Sequence, residues 1–261
     1  MSFLVLIVLC LVQGLTEFLP VSSSGHLLLF SQLFGIHDNN LLLNLFLHMA
    51  TLLAVVTHYR KIIWKILKKP FQPLTLKLLL STSITLIFAL AYEILNIDNY
   101  VTHFYGFCFL ITSILLLLTH KFQKRACVVS LSPEINYKSA TLVGLVQGLA
   151  VLPGISRSGS TIASLILAGN SEEQSAEYSF LLSIPIIIGG FVFELVKIDN
   201  FAEIFATTSP LSIIFAFVLT FAVALLSLKL TLKLLKKNKF IFFSIYLFFV
   251  SIFVIIFNII F

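Results

Sequence analysis

Charge is scarce in this chain: Asp, Glu, Lys and Arg make up 11% of its 261 residues, against 59% hydrophobic ones. A water-soluble globule of this length needs far more polar surface, so a soluble fold is excluded. Residues 209–228 and 240–261 contain no Asp, Glu, Lys or Arg, and each stretch reaches the roughly 20 residues that a helix needs to cross a hydrocarbon core. No basic residue precedes Arg60, so the apolar N-terminal segment lacks the basic region of a secretory signal and is expected to remain in the membrane. Cysteine is rare as well. Cys10, Cys108 and Cys127 are widely spaced with no Cys-x-x-Cys pair, which argues against a disulfide framework or a zinc site. The long runs also lack the alternating polarity that a membrane β-barrel requires. What remains is an all-α integral membrane protein.

Polar residues, where they occur inside apolar sequence, form two copies of one pattern. The first runs from Gln13 through Gly-Leu-Thr-Glu17-Phe-Leu-Pro20-Val-Ser22-Ser23-Ser24 to Gly25 and His26. The second runs from Gln147 through Gly-Leu-Ala-Val-Leu-Pro153-Gly154-Ile-Ser156-Arg157-Ser158 to Gly159, Ser160 and Thr161. Twelve positions separate Gln from Gly in each, so this is an internal repeat. Proline, glycine and clustered hydroxyls break a helix and cap the next one, so each copy predicts half-helix, polar bend, half-helix.

The spans then fall into matching halves within a single membrane domain, 1–261. Residues 1–34 hold the first re-entrant pair, followed by crossings expected near 41–58, 76–95 and 102–120. Residues 139–169 hold the second, followed by 178–196, 210–229 and 240–261. The first half is 1–120, the cytoplasmic connector 121–138 and the second half 139–261. Three crossings per half, six in all, turn one half upside down relative to the other, giving an inverted-topology repeat with two re-entrant helix-loop-helix segments. Of 17 Lys and Arg residues, six lie in 60–77, four in 121–138 and five in 229–239, leaving Arg157 and Lys197. Those three basic segments fit together on the cytoplasmic side. The formal charge of +6 is explained by this asymmetry and by anionic lipid headgroups, so no nucleic-acid partner is expected.

With this topology the two bends approach from opposite faces and meet near midplane. Two half-helix N-termini then direct free N–H groups and positive dipole ends at one place, which suits an anion. Arg157 adds a guanidinium fork matched to phosphate oxygens. Glu17, an ionisable group at membrane depth, is functional by default. His48, His58 and His120 read as packing or interfacial residues, Glu93, Glu177 and Glu194 as interfacial ones, and the Phe-rich final helix as a lipid-facing surface.

The residues Gln13 and Glu17, the run Pro20 to His26 and the run Pro153 to Thr161 resemble the paired motifs of the bacterial undecaprenyl-diphosphate phosphatases, the bacitracin-resistance family. Thr51 to Val55, Tyr178 to Pro185 and Phe240 to Tyr246 are similar to that family's helices. The resemblance implies a multi-pass hydrolase of the bacterial plasma (inner) membrane that removes the terminal phosphate of a C55 polyprenyl diphosphate for cell-wall synthesis. It implies an active site open to the outer face and a divalent cation, Mg or Ca, on Gln13 and Glu17. The catalytic set is then Glu17, Ser23, His26 and Arg157, with His26 moving protons and Ser23 serving as nucleophile or phosphate donor. Ser24, Ser156, Arg157, Ser158 and Thr161 would bind the substrate's phosphates. Three positions depart from the family pattern: Asn44 and Ala50 stand where an acid and a glycine are expected, and Leu247 where an arginine is expected. A carrier that flips polyprenyl phosphate through the same anion site is the alternative, since transporters also bind ions where broken helices meet. Hydrolysis is favoured by the base and acid offered by Glu17 and His26. The partners are the lipid substrate and membrane lipids; assembly into homo-oligomers is left open.

Overall fold

The computed structural model describes residues 2–36, 41–129, 135–196, 209–237 and 239–260, and these contain ten helices and no strand. Parts of the connections expected at 31–40, 121–138 and 197–209, and the side chain of Cys127, lie outside the described residues. The first two helices, α1 (Phe3–Thr16) and α2 (Ser23–Leu33), have 14 and 11 residues. At about 1.5 Å per residue neither reaches across a hydrocarbon core of about 30 Å. The same holds for α6 (Tyr137–Leu149, 13 residues) and α7 (Arg157–Leu167, 11 residues). Both pairs are half-length helices joined by the polar bends that the repeat predicts.

Between and after them come α3 (Leu41–Lys68), α4 (Pro73–Ile94), α5 (Asp98–Val129), α8 (Glu172–Val196), α9 (Pro210–Lys236) and α10 (Phe240–Ile260). Five of these six, all but α3, contain stretches long and apolar enough to cross a membrane, and the chain is a multi-pass membrane protein. The crossing expected at 41–58 falls inside α3, where Asn44, His48, Thr51 and His58 dilute the apolar run. α3 leaves helical geometry at Tyr59 (φ −96°, ψ 17°) and continues as the basic segment Arg60–Lys68, stopping before Pro70. α5 likewise continues past Lys121 to Val129, into the stretch read as connector, because no glycine or proline interrupts it before Pro133.

Lipid supplies little hydrophobic drive between helices, so close packing and hydroxyl bonds hold the bundle. On the α5–α10 seam, Ser113 and Ser244 donate to each other's carbonyls at 2.7 and 2.8 Å, and Ser251 donates to Gly106 O at 2.8 Å. α4 packs on α6 through Ser81 Oγ, which bonds Ala140 O at 2.7 Å, while α9 packs on α1 through Ser227 Oγ, which donates to Leu15 O at 2.6 Å. The buried centre runs from Phe18 in the first bend, set edge-on against Phe180 at 5.4 Å, to Tyr105 and Phe109 of α5 and Leu247 of α10.

Candidate active site

The bends touch through their glycines. A Cβ built on Gly25 would lie 2.8 Å from Gly154 Cα and 2.5 Å from the Phe109 ring, so only hydrogen allows this approach. Gly154 itself has φ +92°, the left-handed region that glycine enters without strain, and a Cβ there would meet Tyr105 O at 2.4 Å. α5 cradles the second bend: Thr112 Oγ1 donates to Gly154 O at 3.3 Å and accepts from Ser156 N–H at 3.1 Å. Ser158 Oγ donates across the gap to Leu19 O at 3.1 Å. Each half-helix has a serine cap. Ser22 Oγ accepts from Gly25 N–H and Ser156 Oγ from Gly159 N–H, at 3.4 and 3.1 Å.

Counting from the repeat's Gln, Ser23 and Arg157 occupy equivalent positions and are the first residues of α2 and α7. Both aim at one carboxylate. Glu17 lies in the first bend and is buried. Ser23 Oγ donates to its Oε2 at 2.5 Å, Gln13 Nε2 donates to the same oxygen at 3.0 Å, and Arg157 pairs with Oε1. An isolated buried carboxylate would be very costly in the membrane; three donors and one full counter-charge make this one tolerable. The Glu17 side chain is 2% exposed and that of Arg157 22%, so the cation faces outward from the pair.

Glu17, Ser23 and Arg157 stand on the wall of a cavity of about 800 Å³. Ser22, Ser24, Ser156 and Ser158 extend its polar end, and the opposite end is apolar. His26 and Thr161, both expected in the site, are not on this wall. In the neutral His26 ring, Nδ1–H donates to Ser22 O at 2.8 Å and Nε2 accepts from Tyr246 O–H at 2.7 Å, with the two rings stacked 5.7 Å apart. Thr161 Oγ1 donates to Arg157 O at 2.8 Å and pairs with Ser179 Oγ at 2.6 Å, tying α7 to α8. His48 does line the cavity, its Nδ1–H donating to Asn44 O at 2.8 Å, as do Thr82, Thr85 and Gln147. The signal for His48 was present: an ionisable ring inside an apolar run is the pattern that marked Glu17.

The donor set accommodates a hard cation. The carboxylate can only accept, which forces the Gln13 amide nitrogen toward it and leaves Oε1 buried without a hydrogen-bond partner. An orphaned amide oxygen beside a carboxylate is the chemistry that Mg and Ca select. Among the described residues no three His, Cys, Asp or Glu side chains gather, so substrate oxygens and water would complete the shell.

A family model described as bacitracin resistance protein BacA matches residues 6–253. This chain belongs to the BacA family. It is 35% identical over 263 residues to an undecaprenyl-diphosphatase of Treponema denticola, covering 95% of this chain and 94% of the relative. It is 38% identical to one of Methanococcus vannielii, covering 95% and 98% of the two chains, and 41% identical to one of Thermosipho africanus, covering 74% and 79%. Within this BacA-family chain the departures from the expected pattern have definite places. Asn44 offers its carbonyl to His48, Ala50 is fully buried in α3, and Leu247 is fully buried in α10 beside Tyr246. Among the residues described on the cavity wall, Arg157 is the one Lys or Arg.

Proposed function

We propose that this chain is an undecaprenyl-diphosphatase, a membrane phosphohydrolase that releases the terminal phosphate of a polyprenyl diphosphate. Its relatives carry that name. The observation that carries the mechanism is the Ser23 hydroxyl donating at 2.5 Å to Glu17, beside a guanidinium, on the wall of a cavity that is otherwise largely apolar. A hydroxyl bonded to a carboxylate is a nucleophile with its base in place. Arg157 takes the phosphoryl oxygens, Ser23 Oγ attacks the terminal phosphorus and its proton passes to Glu17. The bridging P–O bond breaks, and its electron pair leaves with the lipid monophosphate. Water then attacks the phosphoserine; Glu17 returns its proton to Ser23 Oγ as that bond breaks, and the water's proton departs on inorganic phosphate. Ser24, Ser156 and Ser158 add hydroxyls around the phosphates. His26 is a positioning residue that holds the first bend through Ser22 O, and Thr161 performs the same service for α7.

A divalent cation fits on Glu17 and Gln13, where it would neutralise the diphosphate and its leaving group. Six crossings in an inverted repeat are supported by the serine-capped half-helix pairs and by the crosswise packing of α4 on α6 and α9 on α1. Placement in a bacterial plasma membrane, with the site open to the outer face, is supported by the basic segments at the opposite ends of the helices. A carrier would need the anion site but not a hydroxyl–carboxylate couple.

The test is phosphate release from a polyprenyl diphosphate by the purified chain, with acid quenching to trap phosphoserine. Ser23→Ala is expected to lose about 10³-fold or more in kcat and all trappable phosphoserine. A Ser23→Ala protein turning over near the native rate would transfer the attack to water activated by Glu17.

A further inference from the structure

The polar end of the cavity explains how a diphosphate is held, but most of the remaining wall is apolar and is built from α4 and α8. Leu86, Ala89 and Leu90 of α4 face Val192 and Phe193 of α8 across it. These residues line the cavity and are also open to the outside: Leu86 is 53% exposed and Val192 52%. Both helices are long and apolar enough to span a membrane, so the surroundings they open to are hydrocarbon. The cavity is therefore open sideways, between two helices.

Two glycines in α8 mark the opening. A Cβ built on Gly189 or Gly190 would meet nothing within 4 Å, whereas one on Gly14, Gly106 or Gly144 would collide with the neighbouring helix. Those three are small because helices pack on them. Gly189 and Gly190 have no such reason; adjacent glycines in mid-helix weaken the helix. What they provide is an empty, flat stretch of cavity wall.

The opening also has a defined depth. Gln72, Pro73 and Lys77 at the start of α4 share a second cavity with Gln174 and Glu177 at the start of α8, and Glu173 pairs with Lys236 at 2.9 Å near the basic end of α9. Both helices thus begin at the basic end. Leu86 lies 13 residues beyond Pro73, about 20 Å along the axis, so the opening is in the half of the membrane away from the basic segments.

We infer that the cleft between α4 and α8, floored by Gly189 and Gly190, binds the hydrocarbon tail of the substrate and passes it laterally into the leaflet opposite the basic segments. This rests on the reading of the cavity as a polyprenyl-diphosphate site. Continuity selects the occupant: a lipid whose headgroup sits at Glu17 and Arg157 must leave its tail somewhere apolar, and this cleft belongs to the same cavity. The groove of about 460 Å³ between α5 and α10, lined by Ile114, Ile245 and Phe248, is equally apolar, but its lining includes none of the headgroup residues.

The experiment uses the full chain in detergent–lipid micelles, undecaprenyl diphosphate as substrate, and an analogue carrying a photoreactive diazirine on its tail. Gly190→Leu and Gly189→Leu fill space that is empty, so folding is retained. Each is expected to raise KM at least tenfold with kcat within threefold, while Ile245→Trp in the other groove leaves both unchanged. Photolabel is expected on α4 and α8 peptides and to be lost in Gly190→Leu. Native kinetics in both glycine variants, or label on α5 and α10, overturns the cleft while leaving the phosphatase reading intact. Label on α4 and α8 without hydrolysis by the native chain upholds the cleft and removes the phosphatase reading.

Discussion

The two bends share a scaffold and divide the chemistry. Both have a Gln at the start, a serine cap bonded to a glycine N–H, and a half-helix that opens with a polar side chain aimed at the same point. They differ in what fills the equivalent positions. Four residues after Gln13 comes Glu17, and four after Gln147 comes Val151; where α2 opens with Ser23, α7 opens with Arg157. Gln147 consequently donates its amide to Thr85 Oγ1 at 3.0 Å, a structural bond, while Gln13 donates to the carboxylate. A symmetric scaffold brings two helix starts together, but a reaction on a phosphoryl group needs different groups on its two sides. The first bend supplies base and nucleophile, the second the positive charge.

The comparison breaks most completely at Glu17, since one carboxylate serves both bends. Glu17→Gln removes the base from Ser23 and the counter-ion from Arg157, and kcat is expected to fall by about 10³-fold or more with the defect persisting at saturating substrate. A rate within tenfold of native would show that Glu17 is only a structural partner. Arg157→Lys keeps the charge and loses the fork, so kcat should drop by about 10²-fold with a smaller change in KM. If the lysine variant turns over normally while Arg157→Ala is degraded, the arginine's work is to neutralise Glu17. Val151→Glu sharpens the contrast by giving the second bend the acid it lacks. A second carboxylate on that face competes for Arg157, and a loss of about tenfold in kcat/KM is expected in steady-state assays. Tyr246→Phe should change least: it removes one bond to His26, costs about 1 kcal/mol of thermal stability in detergent and leaves kcat within a few fold. A 10²-fold loss there would mean that His26 moves protons after all.

Much of this was legible in the sequence because polarity inside a membrane is conspicuous. Glu17, Arg157 and the serine runs stood out against apolar neighbours, and the Pro and Gly positions marked where helices had to stop. The half-helix lengths followed directly. What could not be read was which way a side chain turns once a helix is packed. His26 lies three positions after Ser23, yet its ring faces a tyrosine 220 positions later in the chain and leaves the cavity. Thr161 turns to Ser179 for the same reason, while His48, in a helix with no motif of its own, is brought to the cavity wall. The apolar part of that wall carried no signal at all, since Leu86 or Val192 in a span reads the same facing lipid or facing a cleft.

The pairing of Arg157 with Glu17 has one more consequence, for what the site rejects. In this state the guanidinium is already satisfied, so an arriving anion must outbid a carboxylate held at fixed range, and separating a buried pair of this kind costs about 3–5 kcal/mol. Weakly charged or singly bonded anions cannot make up that cost, whereas a diphosphate, with more charge and more oxygens, can. Once the terminal phosphate is gone, the lipid monophosphate has lost much of that advantage and the carboxylate reclaims its partner. The site therefore carries its own inhibitor within the chain, which sets a threshold for entry and hastens departure of the product.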